Sequence, residues 1–318
     1  MAESDCNQTR LSRRALFRAG AALGLCGAGI VGLAPPRTAR AEAAAANPMA
    51  PVALPAQVPA REAVAELPGV RLWFWDTGGT GTPIVLLHPA SGSALIWGYQ
   101  QPVFAKAGYR VIAYSRRGYY NSAPLERDKP SFGSEDLRQL VDVLGIRRFH
   151  VVASAAGGSI AADFALSYPD RLLSLTNSSN SFGLRAGPIA EAAASIRPKM
   201  WNDIPPDVRE LGPSYRALNP DGVKQWIGLE HKALVAGEAR QMLKNEMTEA
   251  KLAELKMPTL LIAGAADLIT PPSISRMIAA KIPGSQLVVA SEAGHSVYWE
   301  QPDLLNRAVL DFIGKQPK

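Results

Sequence analysis

Asp267 and His295 are the two side chains whose type and placement carry the most chemistry. Asp267 closes the run Gly264-Ala265-Ala266-Asp267 after the apolar stretch Thr259 to Ala263, and Thr270-Pro271-Pro272 follows it. His295 stands in Ala293-Gly294-His295-Ser296, just after the apolar stretch Gln286 to Ala290 and ahead of Trp299-Glu300-Gln301-Pro302. A carboxylate that binds one imidazole nitrogen fixes the tautomer and leaves the other nitrogen free to take a proton from substrate or water. That is general-base chemistry. Taken alone, an Asp after a strand is more often a helix cap, and a lone His is more often a surface residue. The pair therefore gains meaning only from the elements that place it. The other histidines, His88, His150 and His231, are scattered, with no Cys or His spacing of metal-site type, so neither a metal nor a cofactor is expected.

The elements read as an alternating α/β chain. Short continuous apolar runs of buried-strand type cover Pro83 to His88, Arg110 to Tyr114, Phe149 to Ala153, Thr259 to Ala263 and Gln286 to Ala290, with a weaker one at Leu172 to Leu175. Arg71-Leu72-Trp73-Phe74-Trp75 precedes the turn Asp76-Thr77-Gly78-Gly79. Helical spacing marks Ser134 to Leu144, Gly158 to Ser167, Ser273 to Ile282 and Asp303 to Ile313. This alternation predicts a mostly parallel sheet with helices on both faces. Groups on loops at the carboxyl edge of such a sheet converge on one crevice. Residues 181–256 break the rhythm with a polar, helical pattern that holds Trp201, Trp226 and His231, and read as an inserted helical cap.

The order of these motifs resembles the α/β-hydrolase superfamily over about residues 69 to 315, in four places. Leu87-His88-Pro89-Ala90 stands where the family has its His-Gly oxyanion loop, with Pro89 in place of the usual Gly. Ser115-Arg116-Arg117-Gly118-Tyr119-Tyr120-Asn121-Ser122 is similar to the family's D-x-R-G-x-G-x-S turn, with Ser115 for the Asp and Tyr120 for the second Gly. The Asp267 and His295 segments match the loops that deliver the acid and the histidine of a triad. The resemblance implies an α/β-hydrolase fold with Asp267 orienting a catalytic His295, and backbone N–H groups of Ala90 and Ala156 as oxyanion donors.

The family's nucleophile turn, G-x-S-x-G, falls here on Ala153-Ser154-Ala155-Ala156-Gly157-Gly158. The Gly157-Gly158 pair sets the register and puts Ala155 at the nucleophile position. Small residues at 153 and 157 agree with the tight strand-to-helix turn. Ser154 is the rival, but as nucleophile it would place the β-branched Val152 at a tight flank. With no hydroxyl at 155, the acyl-enzyme route of a serine hydrolase is closed.

The chain has 318 residues, 47% hydrophobic and 19% charged, an ordinary globular balance. Its net charge of +6 is no nucleic-acid footprint, because residues 1–43 hold six arginines against Glu3, Asp5 and Glu42 and the body is nearly balanced. Ser12-Arg13-Arg14-Ala15-Leu16-Phe17-Arg18 resembles a twin-arginine motif and precedes an uncharged Gly- and Ala-rich stretch too weakly apolar for a stable membrane anchor. Ala39-Arg40-Ala41 and Ala41-Glu42-Ala43 are A-x-A cleavage sites. Residues 1–43 thus read as a leader for the twin-arginine export machinery, and 44–66 as an Ala/Pro-rich linker. The core covers 67–180 and 257–318, and the mature protein is expected in the periplasm or outside the cell. Both cysteines, Cys6 and Cys26, fall in the leader, so the mature chain needs no disulfide.

The expected function is action on a small, largely apolar carbonyl compound, an ester, a lactone or a C–C-cleavable ketone, through a His-Asp dyad and an oxyanion hole. Two alternatives stay open. One is a non-catalytic exported ligand-binding pseudo-hydrolase; the other is a cofactor-independent oxygenase or lyase with His295 as base.

Overall fold

The computed structural model describes residues 47–126, 128, 130–234 and 241–316. The leader read over residues 1–43, with Arg13, Arg14, Cys6 and Cys26, lies outside the described residues, as do residues 44–46 of the linker. Eight strands are described: β1 Arg61–Leu67, β2 Val70–Asp76, β3 Pro83–Leu87, β4 Arg110–Tyr114, β5 Phe149–Ser154, β6 Leu172–Ser178, β7 Thr259–Gly264 and β8 Gln286–Ala290. They form one sheet in the order β1-β2-β4-β3-β5-β6-β7-β8. The first two strands pair antiparallel with their neighbours, and all the rest are parallel.

Burial on both faces explains why the central strands read as unbroken apolar runs. In β3, Val85 and Leu87 face one core with the helices α2 Gly133–Val143, α3 Ala156–Ser167 and α9 Pro272–Ala279. Ile84 and Leu86 face the other, with Phe104 from α1 Gln101–Lys106 and Leu305, Val309 and Phe312 from α11 Pro302–Ile313. Pro302 at the start of α11 gives up no helical hydrogen bond there.

Two expectations are corrected. Residues 61–66, read as the end of the linker, are β1, which pairs with β2 from Arg61↔Asp76 to Leu67↔Val70 across the turn Pro68–Gly69. Its inward positions Ala63 and Ala65 are too small to give an alternating apolar signal, and Gly69 at φ 77° supplies the tight turn. The rest of the described linker is held to the body, with Met49 buried and Val58 exchanging two hydrogen bonds with Gln101. The weak run at Leu172 to Leu175 continues through Thr176-Asn177-Ser178, polar residues buried in the middle of the sheet.

Between β6 and β7 lie α4 Pro188–Ser195, α5 Pro206–Glu210, α6 Pro213–Leu218, α7 Pro220–Ala233 and α8 Glu249–Leu252. Buried anchors fasten this interval to the core. Asp163 of α3 accepts from the backbone N–H groups of Lys244 and Asn245 at 2.9 and 2.8 Å, and Trp226 Nε1 donates to the Tyr298 hydroxyl at 3.2 Å. The short helix α10 Val297–Glu300 completes the chain between β8 and α11.

Glycines set the closest backbone approach. A Cβ on Gly264, the last residue of β7, would lie 1.9 Å from Gly294 O and 2.5 Å from Ala293 O in the loop that carries His295. Backbone atoms cannot turn aside as a side chain can. Gly264→Ala is therefore expected to lower stability by about 3 kcal/mol, read as a lower urea midpoint at constant slope. An unchanged midpoint would mean that the His295 loop is free to move off β7.

Candidate active site

Ala155 occupies the turn from β5 into α3 with φ 47° and ψ −120°. A residue with a Cβ pays about 1–3 kcal/mol to sit in such a region, so the surroundings must hold it there. Three hydrogen bonds do so. Ala155 N–H donates to Ser178 O at 2.9 Å, and Ala155 O accepts from Gly158 N–H at 2.8 Å and from Asn180 Nδ2 at 2.6 Å. Asn180 is itself fixed, because its Oδ1 accepts from Phe182 N–H at 2.6 Å. A Cβ at Gly157 would lie 2.4 Å from Leu87 O, and one at Gly158 1.9 Å from Asn177 Oδ1. The glycine pair is what lets α3 start this close to β3 and β6. Ser154, the rival position, is the last residue of β5, is 1% exposed, and its Oγ has no hydrogen-bond partner.

Asp267 follows β7 and His295 follows β8, so both leave the sheet at its carboxyl edge, as Ala155 does after β5 and Ala90 after β3. The Asp267 carboxylate spans His295 Nδ1 with contacts of 3.0 and 2.9 Å, and both residues are 4% exposed. Asp267 Oδ1 also accepts from the N–H groups of Ile269 and Thr270 at 2.7 and 3.0 Å. Burial pushes this carboxyl up, but the His295 charge, its hydrogen bond and the two N–H groups outweigh burial and hold it below the usual range. Burial pushes His295 down, and the charges of Asp267, Glu210 and Glu300 outweigh that and raise it. The imidazole donates through Nδ1, which leaves Nε2 as the free basic nitrogen.

The loop after β3 is fixed by His88. Its Nε2 accepts from Arg116 N–H at 3.0 Å, so the proton is on Nδ1, which donates to Pro89 O at 2.7 Å. Burial holds His88 well below the usual histidine range, with the Arg116 charge adding to it. His88 is thus a neutral structural strut. The Arg116 guanidinium also donates to Pro89 O at 3.0 Å and lies over the Tyr119 ring. The carbonyl of Pro89 accepts from these two donors and from Gly92 N–H at 3.4 Å, which sets the peptide plane that carries Ala90 N–H. Among the described residues, neither Ala90 N–H nor Ala156 N–H meets an acceptor.

Glu210, at the end of α5, joins these loops, and no sequence signal marks it. Its Oε2 accepts from Ser91 Oγ at 2.6 Å, and its backbone O accepts from the N–H groups of His295 and Ser296 at 2.8 and 3.1 Å. Glu300 accepts from Gly212 N–H at 2.8 Å and from Gly294 N–H at 3.0 Å, stapling the α5–α6 turn to the His295 loop, and burial pushes its pKa up to about 7. Of Trp201, Trp226 and His231, Trp226 is core, the Trp201 ring has the guanidinium groups of Arg197 and Arg209 each 5.7 Å from its centroid, and the His231 side chain is exposed. Among the described residues, no group of three or more His, Cys, Asp and Glu side chains is placed to hold a metal ion.

The model of the alpha/beta hydrolase family matches residues 84–308. The chain belongs to that family. It is 27% identical over 269 residues to the 2-hydroxy-6-oxononadienedioate/2-hydroxy-6-oxononatrienedioate hydrolase of Comamonas testosteroni, covering 75% of this chain and 90% of that one. It is 26% identical over 268 residues to the 2-hydroxy-6-oxo-6-phenylhexa-2,4-dienoate hydrolase of the same organism, covering 76% and 91%. Among solved structures, a thermophilic esterase from Thermogutta terrifontis superposes with a TM-score of 0.66 at 24% identity, over 80% of this chain and 98% of the other. That likeness bears on the fold.

Among the described residues the buried Ser154 hydroxyl has no hydrogen-bond partner. Because it makes no hydrogen bond, Ser154→Ala should leave stability the same or raise it by about 1 kcal/mol. Any activity should stay within about tenfold of the parent, whereas loss of a nucleophile costs orders of magnitude. Activity falling to background in a folded Ser154→Ala protein would move the nucleophile assignment to Ser154.

Proposed function

We propose that this chain is an enzyme acting on a small, largely apolar carbonyl compound, an ester, a lactone or a C–C-cleavable ketone, without forming an acyl-enzyme. His295 is the base, Asp267 its orienter, and the N–H groups of Ala90 and Ala156 receive the developing oxyanion. The observation that carries this reading is the two-oxygen clasp of Asp267 on His295 Nδ1, which leaves one basic nitrogen on a buried imidazole. Ala155 supplies only a methyl group at the turn, so His295 must act on water or on an acidic C–H of the substrate. Two unpaired backbone donors fit an oxygen on which charge grows. The names of the two Comamonas relatives describe hydrolases of oxo-carboxylates, which share the carbonyl group but carry charge as well. The described part of residues 181–256 serves as the cap, with Glu210 reaching the His295 loop.

A second reading rests on Ala155 itself: a pocket that binds its ligand without turnover. A turnover screen by mass spectrometry against esters, lactones and enolisable ketones separates the two. The enzymatic reading predicts product from at least one class, and a loss of about 10²–10⁴-fold in His295→Ala. Binding without product across all three classes, or full turnover in a folded His295→Ala protein, would reject it.

A further inference from the structure

Glu210 touches both the loop carrying Ala90 and the loop carrying His295 through its own side chain and backbone. Its Oε2 lies 2.6 Å from Ser91 Oγ, next in sequence to Ala90, and 3.4 Å from Ser296 Oγ. Its carbonyl accepts from His295 and Ser296 N–H. The titratable and charged groups around its carboxyl are Asp267 and His295 from the loops after β7 and β8, Tyr298 from α10, and Arg209 from its own helix. An ionised carboxylate beside an oxyanion loop opposes the negative charge that must grow there. A protonated one does the reverse: it donates to Ser91 Oγ, and the Ser91 hydroxyl hydrogen is freed for another acceptor.

We propose that Glu210 is a positioning residue of this site, which shares a proton with the His295–Asp267 pair and relays it through Ser91 to the oxygen of a bound carbonyl compound. The inference rests on the reading of His295 as base. In the step, His295 Nε2 takes a proton from the carbon beside the carbonyl. The C–H electron pair becomes the new C=C bond and the carbonyl π pair moves to oxygen. That oxygen takes the Ser91 proton, and Ser91 takes the proton of Glu210. The products are the enol, an imidazolium and the Glu210 carboxylate, and the same transfers run backward restore the site. No bond to the protein forms, as a methyl at residue 155 requires. Burial pushes the Glu210 carboxyl up, which agrees with a group that holds a proton to give.

The test uses Glu210→Gln, which keeps the shape and loses the charge, and Ser91→Ala, which leaves Glu210 in place and breaks the relay. The His295 imidazole is titrated by NMR in the resting proteins, with folding checked by circular dichroism. Gln cannot become the carboxylate that stabilises an imidazolium when the shared proton sits on His295, so the His295 midpoint should fall by about one pH unit in Glu210→Gln. It should not move in Ser154→Ala. Exchange of the α-proton of an enolisable ketone with D2O should fall about tenfold or more in both Glu210→Gln and Ser91→Ala. An unchanged His295 midpoint in folded Glu210→Gln overturns the proposal. Exchange that depends on His295 but not on Glu210 or Ser91 overturns the relay and leaves the enzymatic reading standing. A parent that exchanges no substrate proton overturns both.

Discussion

The site is organised around a turn that its own residue would not choose. Ala155 at φ 47° and ψ −120° is in a region where a Cβ is disfavoured, and the three hydrogen bonds on its N–H and carbonyl exist only because β6 and α3 lie where they do. The glycines at 157 and 158 are consequences of the same turn, since either Cβ would strike β3 or Asn177. Ala156 N–H, the first of α3, is unpaired for the same reason. The backbone is held in this geometry although residue 155 carries only a methyl group.

Around the turn, charge is arranged on one histidine. Asp267 binds Nδ1 directly, while Glu210 and Glu300 add to the field that favours the imidazolium. The helical interval between β6 and β7 supplies Glu210 and, through Gly212, the partner of Glu300. The interval is thus bound to the histidine loop by backbone as well as by side chains. Its fastening explains why a dyad at the edge of an open sheet is only 4% exposed.

Much of this was legible in the sequence, for physical reasons. The central strands announce themselves because both of their faces are buried, and the helical spacing read from Ser273 and from Asp303 falls on α9 and α11. Asp267 and His295 stand out because a strand end followed by an acid or a histidine is a recurring way to deliver a group to one edge. The Gly157-Gly158 pair gave away the turn, since only close backbone approach demands two glycines there. β1 was hidden by the alanines on its inner face. Glu210 was hidden more deeply: it meets Ser91 across 119 positions of chain, and nothing in Asp207-Val208-Arg209-Glu210 distinguishes a surface helix from one that reaches the site. Asn180 was equally silent, one polar residue in the run Ser178-Ser179-Asn180-Ser181.

In the proposed mechanism residue 155 stands where a hydrolase-family nucleophile belongs, within reach of His295. The most direct measurement is covalent labelling of purified Ala155→Ser with a fluorophosphonate probe, with the modified residue located by peptide mass spectrometry. The expected result is a label on residue 155, a burst with p-nitrophenyl esters, and no label on the parent. A folded variant that takes no label, or a parent labelled at Ser154, would contradict it.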